Sequence, residues 1–380
     1  MKYNPFCETE IIFATPAQME ARLYSIKRKN IVLVMSETSA ERLGFLPFVD
    51  RYYKKAEDAG GSLIWIKDIN PNPSIRDLQM LLGEIEKLDV DLFISIGGGS
   101  AIDMAKALSA FKGYGYEEGL TSSQIKSVIS EKKYKNKRFA DIVAIPTTSG
   151  TGTEVTQWAT IWDDVEKVKY SIDDPGLKPK LAIIVPELTV SMPAALTLST
   201  GLDAMCQAVE SFWSIHTTPI VQGIAAQSIR IIIDNLRAAV DNPEDLAIRE
   251  NLSKASVLAG LAFSQTRTTA CHSISYPLTL FFGIPHGIAA VITLDAVSKI
   301  NKGHFPNDRQ LFDLFEKYGD IQSFIEYACN SVWDMRLTAF GIEKQDIPRI
   351  VDYAFTEGRM DNNPVDLSRE DVALILESIL

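Results

Sequence analysis

Short apolar, β-branched runs at residues 30–35, 62–67, 90–96, 141–145 and 181–185 alternate with stretches of helical spacing through the first half of the chain. Strands of that length separated by amphipathic helices predict βαβ units on a parallel sheet. After residue 189 the pattern changes: long helix-period runs at 223–235, 243–263 and 289–298 carry few strand signals. The boundary is therefore placed near residue 190. It separates an α/β nucleotide-type domain, 1–190, from an all-α domain, 191–380.

Composition narrows the picture without adding to it. With 380 residues, 46% of them hydrophobic, the chain can bury a core large enough for two domains. A net charge of -11 argues against nucleic acid as a partner. The lysine-rich stretch 132–138 reads as a solvated loop. Cys7, Cys206, Cys271 and Cys329 show no C-x-x-C spacing, which fits a reducing cytoplasm better than a disulfide framework or thiolate metal site. No run approaches the roughly 18 apolar residues of a membrane span, so a soluble protein is expected.

Two turns carry candidate chemistry. The apolar run 91–96 leads into Gly97, Gly98, Gly99 and Ser100, followed by helical spacing through Lys106. Glycines between a strand and a helix let backbone N–H groups and the positive helix end face a pyrophosphate; a tight packing turn is the plainer alternative. Residues 146–154, with Thr147, Thr148, Ser149, Thr151 and Thr153 and two glycines in one turn, offer many donors to an anion or ribose. A helix cap would explain Ser149 or Thr153 but not the whole cluster.

A third constellation suits a metal. His272 and His286 bracket a segment ending in Gly283, Ile284, Pro285, His286 and Gly287, while Asp203 and Gln207 stand at i and i+4 on one helix face. One carboxylate, two imidazoles and an amide oxygen can hold a divalent cation with a position open to substrate. Asp203 as a helix-start acid and Gln207 as an ordinary polar position remain the other reading.

Together these segments resemble the iron-containing, or group III, alcohol dehydrogenases. Asn72 within 70–73, the turn 97–106, the loop 147–153, Asp174 to Gly176, 201–210, 272–287 and Asn363–Pro364 follow that family's order and spacing. The resemblance implies a dehydroquinate synthase-like fold, an amino-terminal dinucleotide-binding domain followed by a helical metal-binding domain, with the active site in the cleft between and commonly a homodimer. It implies NAD(P)H as cofactor, held by Ser36, Asn72, Gly97, Gly98, Gly99 and Ser100. Asp103, Thr147, Thr148, Thr151 and Lys169, the last at the ribose, complete that set. It also implies a divalent metal, iron favoured over zinc, on Asp203, Gln207, His272 and His286.

Three departures from the family pattern bear on function. Its fourth metal histidine is here Gln207. Its common ribose-binding Asp is replaced by Ser36, which leaves NAD and NADP both open. A second histidine implicated in proton relay is replaced by Tyr276, so His272 and Tyr276 form the expected catalytic pair. Residues 264–277, with Arg267 and Thr268, resemble the phosphonoacetaldehyde reductase branch, also called hydroxyethylphosphonate dehydrogenases. An Arg fork with neighbouring hydroxyls suits a small dianionic head; an Arg paired with a helix acid such as Glu210 is the structural alternative. The expected reaction reduces phosphonoacetaldehyde to 2-hydroxyethylphosphonate. Another small aldehyde, such as a semialdehyde, lactaldehyde, or the 1,3-propanediol or butanol type, is the nearest rival. A nucleotide-binding protein without catalysis is the rival of another class.

Overall fold

The computed structural model describes residues 7–115, 119–356 and 358–380. Contacts divide the chain into two compact units, Met1–Thr148 with Thr153–Thr189, and Ser149–Gly152 with Val190–Leu380.

The first unit carries strands β1 (Glu10–Phe13), β2 (Asn30–Val34), β3 (Ser62–Ile66), β4 (Leu92–Gly97), β5 (Asp141–Pro146), β6 (Trp158–Asp163), β7 (Val168–Asp173) and β8 (Leu181–Ile184). Six of them form a parallel sheet in the order β1-β8-β5-β4-β2-β3. Its helices are α1 (Pro16–Ser25), α2 (Glu37–Arg42), α3 (Leu46–Asp58), α4 (Ile75–Glu84), α5 (Gly99–Tyr114) and α6 (Ser122–Ser130). Both faces of the sheet are covered, which is why its strands read as continuous apolar runs. On β4, Ile94 and Ile96 join the cluster of Met19, Leu23, Phe48 and Tyr52. Phe93 points the other way, into Leu78, Leu82, Leu108 and Phe111.

The chain order reverses at β2, which lies between β3 and β4. The carboxyl ends of β2 and β4 therefore flank the switch point where open α/β sheets bind ligands. Ser36 follows one and the glycine turn follows the other. The antiparallel ribbon β6–β7 has no counterpart in the hydropathy pattern. β7 buries only Ile172 fully, and its Lys169, Ser171 and Asp173 hide the strand.

The second unit is helical. Its principal helices are α7 (Ala194–Trp213), α8 (Pro219–Asp241), α9 (Leu246–Thr266), α10 (Ala270–Phe282), α11 (His286–Val291) and α12 (Leu294–Asn301). α7 is buried around nearly its whole circumference from Thr197 onward, packed by α8, α9 and α11. The single helix expected over 289–298 is two, α11 and α12. The Thr293 hydroxyl bonds back to the Ala290 carbonyl at the break, a local competitor to the helix ladder that apolar periodicity does not register. Among the described residues, no helix is long and apolar enough to cross a membrane.

Candidate active site

The glycine turn closes β4 into α5. Gly98 is the N-cap of α5 with no side-chain cap, so N–H groups of the first turn are open to an anion. Thr147 N–H donates to Gly97 O at 2.9 Å, holding the two expected cofactor loops side by side. A Cβ on Gly97 would stand 2.6 Å from Ala101 Cβ, whereas one on Gly98 would meet Thr148 at an ordinary 3.4 Å. Close packing thus makes glycine obligatory at Gly97. Asn72, in the left-handed region at φ 54, donates its N–H to Ser100 Oγ at 3.2 Å. Ser36 caps α2, accepting from Ser39 N–H. Lys169 lies over the Trp162 ring, 6.0 Å from its centroid.

Asp103, expected among the cofactor contacts, has both carboxylate oxygens engaged inside its own unit, by the Thr153 hydroxyl at 2.6 Å and Thr160 N–H at 2.9 Å. Beside it Lys106 is fully buried, and its Nζ donates to Thr153 O, Thr153 Oγ1 and Trp158 O within 2.9 Å. Burial lowers Lys106 to about 8, with Asp103 and Glu154 opposing the shift. Burial raises Glu154 to about 7, with Lys106 again opposing. Ser149 and Thr151, by contrast, belong to the helical unit, where Ser149 bonds Ser253 of α9 at 3.0 Å.

Three of the four metal candidates, Asp203, His272 and His286, converge in that helical unit. α7 presents Asp203 and Gln207 one turn apart. His272 enters from the first turn of α10, and His286 opens α11. Donor atoms of Asp203, His272 and His286 all lie within 4.8 Å of one another, with His272 Nε2 3.2 Å from Asp203 Oδ1. The rings of His272 and His286 meet edge to face at 5.5 Å. Gly287 makes this possible: a Cβ there would stand 1.8 Å from Ser199 O and 2.9 Å from Asp203 Cβ. Only glycine lets the α11 backbone come this close to α7.

Gln207 is buried, and its Oε1 has no hydrogen-bond partner. A buried amide oxygen left so costs about 1–3 kcal/mol, and its presence one turn from Asp203 fits a site completed by a cation. The donor set of one carboxylate, two imidazoles and an amide oxygen matches a borderline divalent metal.

Glu210 closes the family-like segment 201–210 and is a candidate partner for Arg267, but nothing along the chain predicts its bonds to α10. Fully buried two turns along α7 from Asp203, Glu210 Oε1 accepts from the Thr269 hydroxyl at 2.9 Å, Cys271 N–H at 2.8 Å and His272 N–H at 3.3 Å. Its Oε2 is bonded to His272 Nδ1. Burial alone would lower His272, but the charge of Glu210 and the bonds to Asp203 and Glu210 raise it to about 10. Two carboxylates flanking one imidazole make a site that favours positive charge. Apart from that segment, the only sequence signal for Glu210 was its i+7 spacing from Asp203.

Tyr276 is buried with its ring parallel to that of His286, centroids 6.0 Å apart. Arg267 ends α9 at φ 60, ψ 176, a region essentially reserved for glycine. Its Nη1 lies 2.8 Å from where a Cβ of Gly358 would stand. Asn362 ties the two segments together, its Nδ2 donating to both Thr268 O and Gly358 O.

Comparison with known proteins agrees with this geometry. Residues 9–186 match the family model for iron-containing alcohol dehydrogenase, and residues 197–380 match that for the carboxy-terminal part of the Fe-containing alcohol dehydrogenase family. The NADPH-dependent butanol dehydrogenase of Clostridium saccharobutylicum is 31% identical, covering 94% of this chain and 93% of its own. The NAD-dependent methanol dehydrogenase of Bacillus methanolicus is 29% identical over 86% of this chain and 87% of its own. The sulfoacetaldehyde reductase of Bifidobacterium kashiwanohense, solved with NAD+, superposes with a TM-score of 0.81 at 27% identity, covering 100% of this chain and 99% of the other. With both halves of the chain matched by family models and a 31% identical relative covered almost end to end, the chain belongs to the iron-containing alcohol dehydrogenase family, oxidoreductases acting on the CH–OH group.

Proposed function

We propose that this chain reduces phosphonoacetaldehyde to 2-hydroxyethylphosphonate with NAD(P)H, and that Arg267 and Thr268 hold the phosphonate. The observation that carries the reading is the Arg267 backbone. A non-glycine residue in that region costs about 1–3 kcal/mol, and such strain concentrates at ligand clamps. A guanidinium carried by that residue suits a tetrahedral anion. The similar sulfoacetaldehyde reductase is named for a two-carbon aldehyde with an anionic head, which supports the same substrate class.

Asp203, Gln207, His272 and His286 are the residues that would hold the metal, iron favoured and zinc the alternative. The loops at Gly97–Ser100 and Thr147–Thr151 are assigned to the nicotinamide cofactor. When bound, the metal supplies Lewis acidity toward a carbonyl oxygen and the nicotinamide supplies a hydride. Reduction also needs one proton on that oxygen, and Tyr276, stacked on His286, is assigned to deliver it.

The test is NAD(P)H oxidation with phosphonoacetaldehyde, sulfoacetaldehyde and propanal. The phosphonate should give the highest kcat/KM. Preference for propanal would make the chain a neutral-aldehyde reductase, and cofactor binding without turnover of any aldehyde would remove the enzymatic reading.

A further inference from the structure

We infer that Glu210 is a positioning residue that fixes the tautomer of His272, so that the imidazole offers Nε2, and not Nδ1, to the metal. This rests on the metal reading of the Asp203–His272–His286 cluster. Both ring nitrogens of His272 face a carboxylate: Nε2 looks toward Asp203 Oδ1 at 3.2 Å, in the donor group that also holds His286. Nδ1 is bonded to Glu210 Oε2, outside the Asp203–His286 group. Once a cation takes the place between Nε2 and Asp203, the Glu210 carboxylate, which accepts only, keeps the remaining proton on Nδ1 and leaves the Nε2 lone pair for the ligand bond.

The carboxylate itself has no freedom to turn away. Thr269, the N-cap of α10, makes no side-chain cap bond of its own; Glu210 from α7 takes that role across the gap between helices. Its Oε1 accepts the N–H groups of Cys271 and His272, two of the four unsatisfied donors that open a helix. Thr269 donates to the same oxygen, and Thr269 Oγ1 in turn accepts Trp213 Nε1–H at 2.9 Å. One buried carboxylate therefore caps the helix that carries His272 and orients the ring of that same histidine. Outer partners of this kind typically change metal affinity 10- to 100-fold.

The substitution that separates the two jobs is Glu210→Gln. An amide has one accepting edge. If its oxygen keeps the two backbone N–H groups, its NH2 faces His272 Nδ1, which then becomes the acceptor and moves the proton to Nε2, where it blocks ligation. If the amide flips, two helix donors lose their acceptor. Zn2+ affinity is measured by chelator competition on wild type and variant, with near-ultraviolet circular dichroism and Tm as controls of the fold. Expected is Zn2+ binding weakened roughly 10- to 100-fold in a variant that retains the wild-type spectrum. Equal affinity in both proteins overturns the inference while leaving the metal site standing; wild type that binds no Zn2+ overturns the site and the inference together. Should Glu210→Gln fail to fold, 15N-histidine NMR of Zn2+-loaded wild type decides, since the chain has only 4 histidines to assign. A protonated Nδ1 on His272 is expected, and metal on Nδ1 refutes the assignment.

Discussion

Each unit buries a cluster of charged and polar side chains, and the two clusters are completed differently. In the α/β unit, Asp103, Lys106 and Glu154 meet Thr153, Thr160 and Trp158. Asp103 has donors on both oxygens and the Lys106 ammonium has acceptors around it. In the helical unit, donor atoms of Asp203, His272 and His286 converge, and one helical turn from Asp203 the Gln207 oxygen is buried and unpartnered. Burial of charge is common to both and is no sign of function by itself. A cluster that satisfies itself holds the fold together; a cluster that leaves a buried acceptor over fits a bound ligand such as the proposed cation.

The largest effect should come from breaking the closed cluster. Lys106→Met leaves acceptors and acids buried without their cation, a loss of about 3–5 kcal/mol by analogy with broken buried pairs. Urea unfolding should show it, while metal stoichiometry stays at the wild-type value; a stable variant that lost metal would reverse the roles of the two clusters.

Gln207→Leu tests the open cluster. Metal affinity should fall by at least the roughly 10- to 100-fold that loss of an outer partner costs, with little change in Tm, because an oxygen with no partner is replaced by a packed side chain of similar size. Gln207→His should keep or raise affinity. Chelator competition measures both, and a leucine variant with undiminished affinity would return Gln207 to an ordinary core position.

Arg267→Ala probes strain held for a ligand. A hydrogen bond to a charged group contributes roughly 1.5–3 kcal/mol, so kcat/KM for phosphonoacetaldehyde should drop on the order of a hundredfold. Propanal turnover should stay near wild type, and Arg267→Lys should recover part of the loss. Equal damage to both substrates with a lowered Tm would make the arginine structural.

The smallest effect is a pH slope. Because burial raises Glu154 to about 7, the folded protein keeps a proton that the unfolded chain releases from about 4.5. Stability should therefore fall as pH rises from about 4.5 to 7. Glu154→Gln should flatten that part of the profile in thermal melts from pH 4 to 8. Lys106, lowered to about 8, acts at the other end, adding stability as pH climbs from about 8 to 10.5. An unchanged profile in the glutamine variant would mean the Glu154 carboxyl is not desolvated.

Much of this was legible in the sequence because it is local. Parallel strands covered on both faces announce themselves as apolar runs, and Gly97–Ser100 marks its own strand-to-helix turn. The i, i+4 spacing of Asp203 and Gln207 fixes a shared helix face in any context. The β6–β7 ribbon escaped because β7 buries only Ile172 fully, and the break between α11 and α12 because the apolar period runs through it. What only the tertiary structure decided lies in partners far apart along the chain. His272 meets Glu210 from 62 residues away, and Lys106 meets Thr153 from 47. No pattern along the chain encodes whether such a carboxylate faces water, a cation or a histidine ring. That depends on how helices pack, since the energy of a charge is set by what surrounds it once buried.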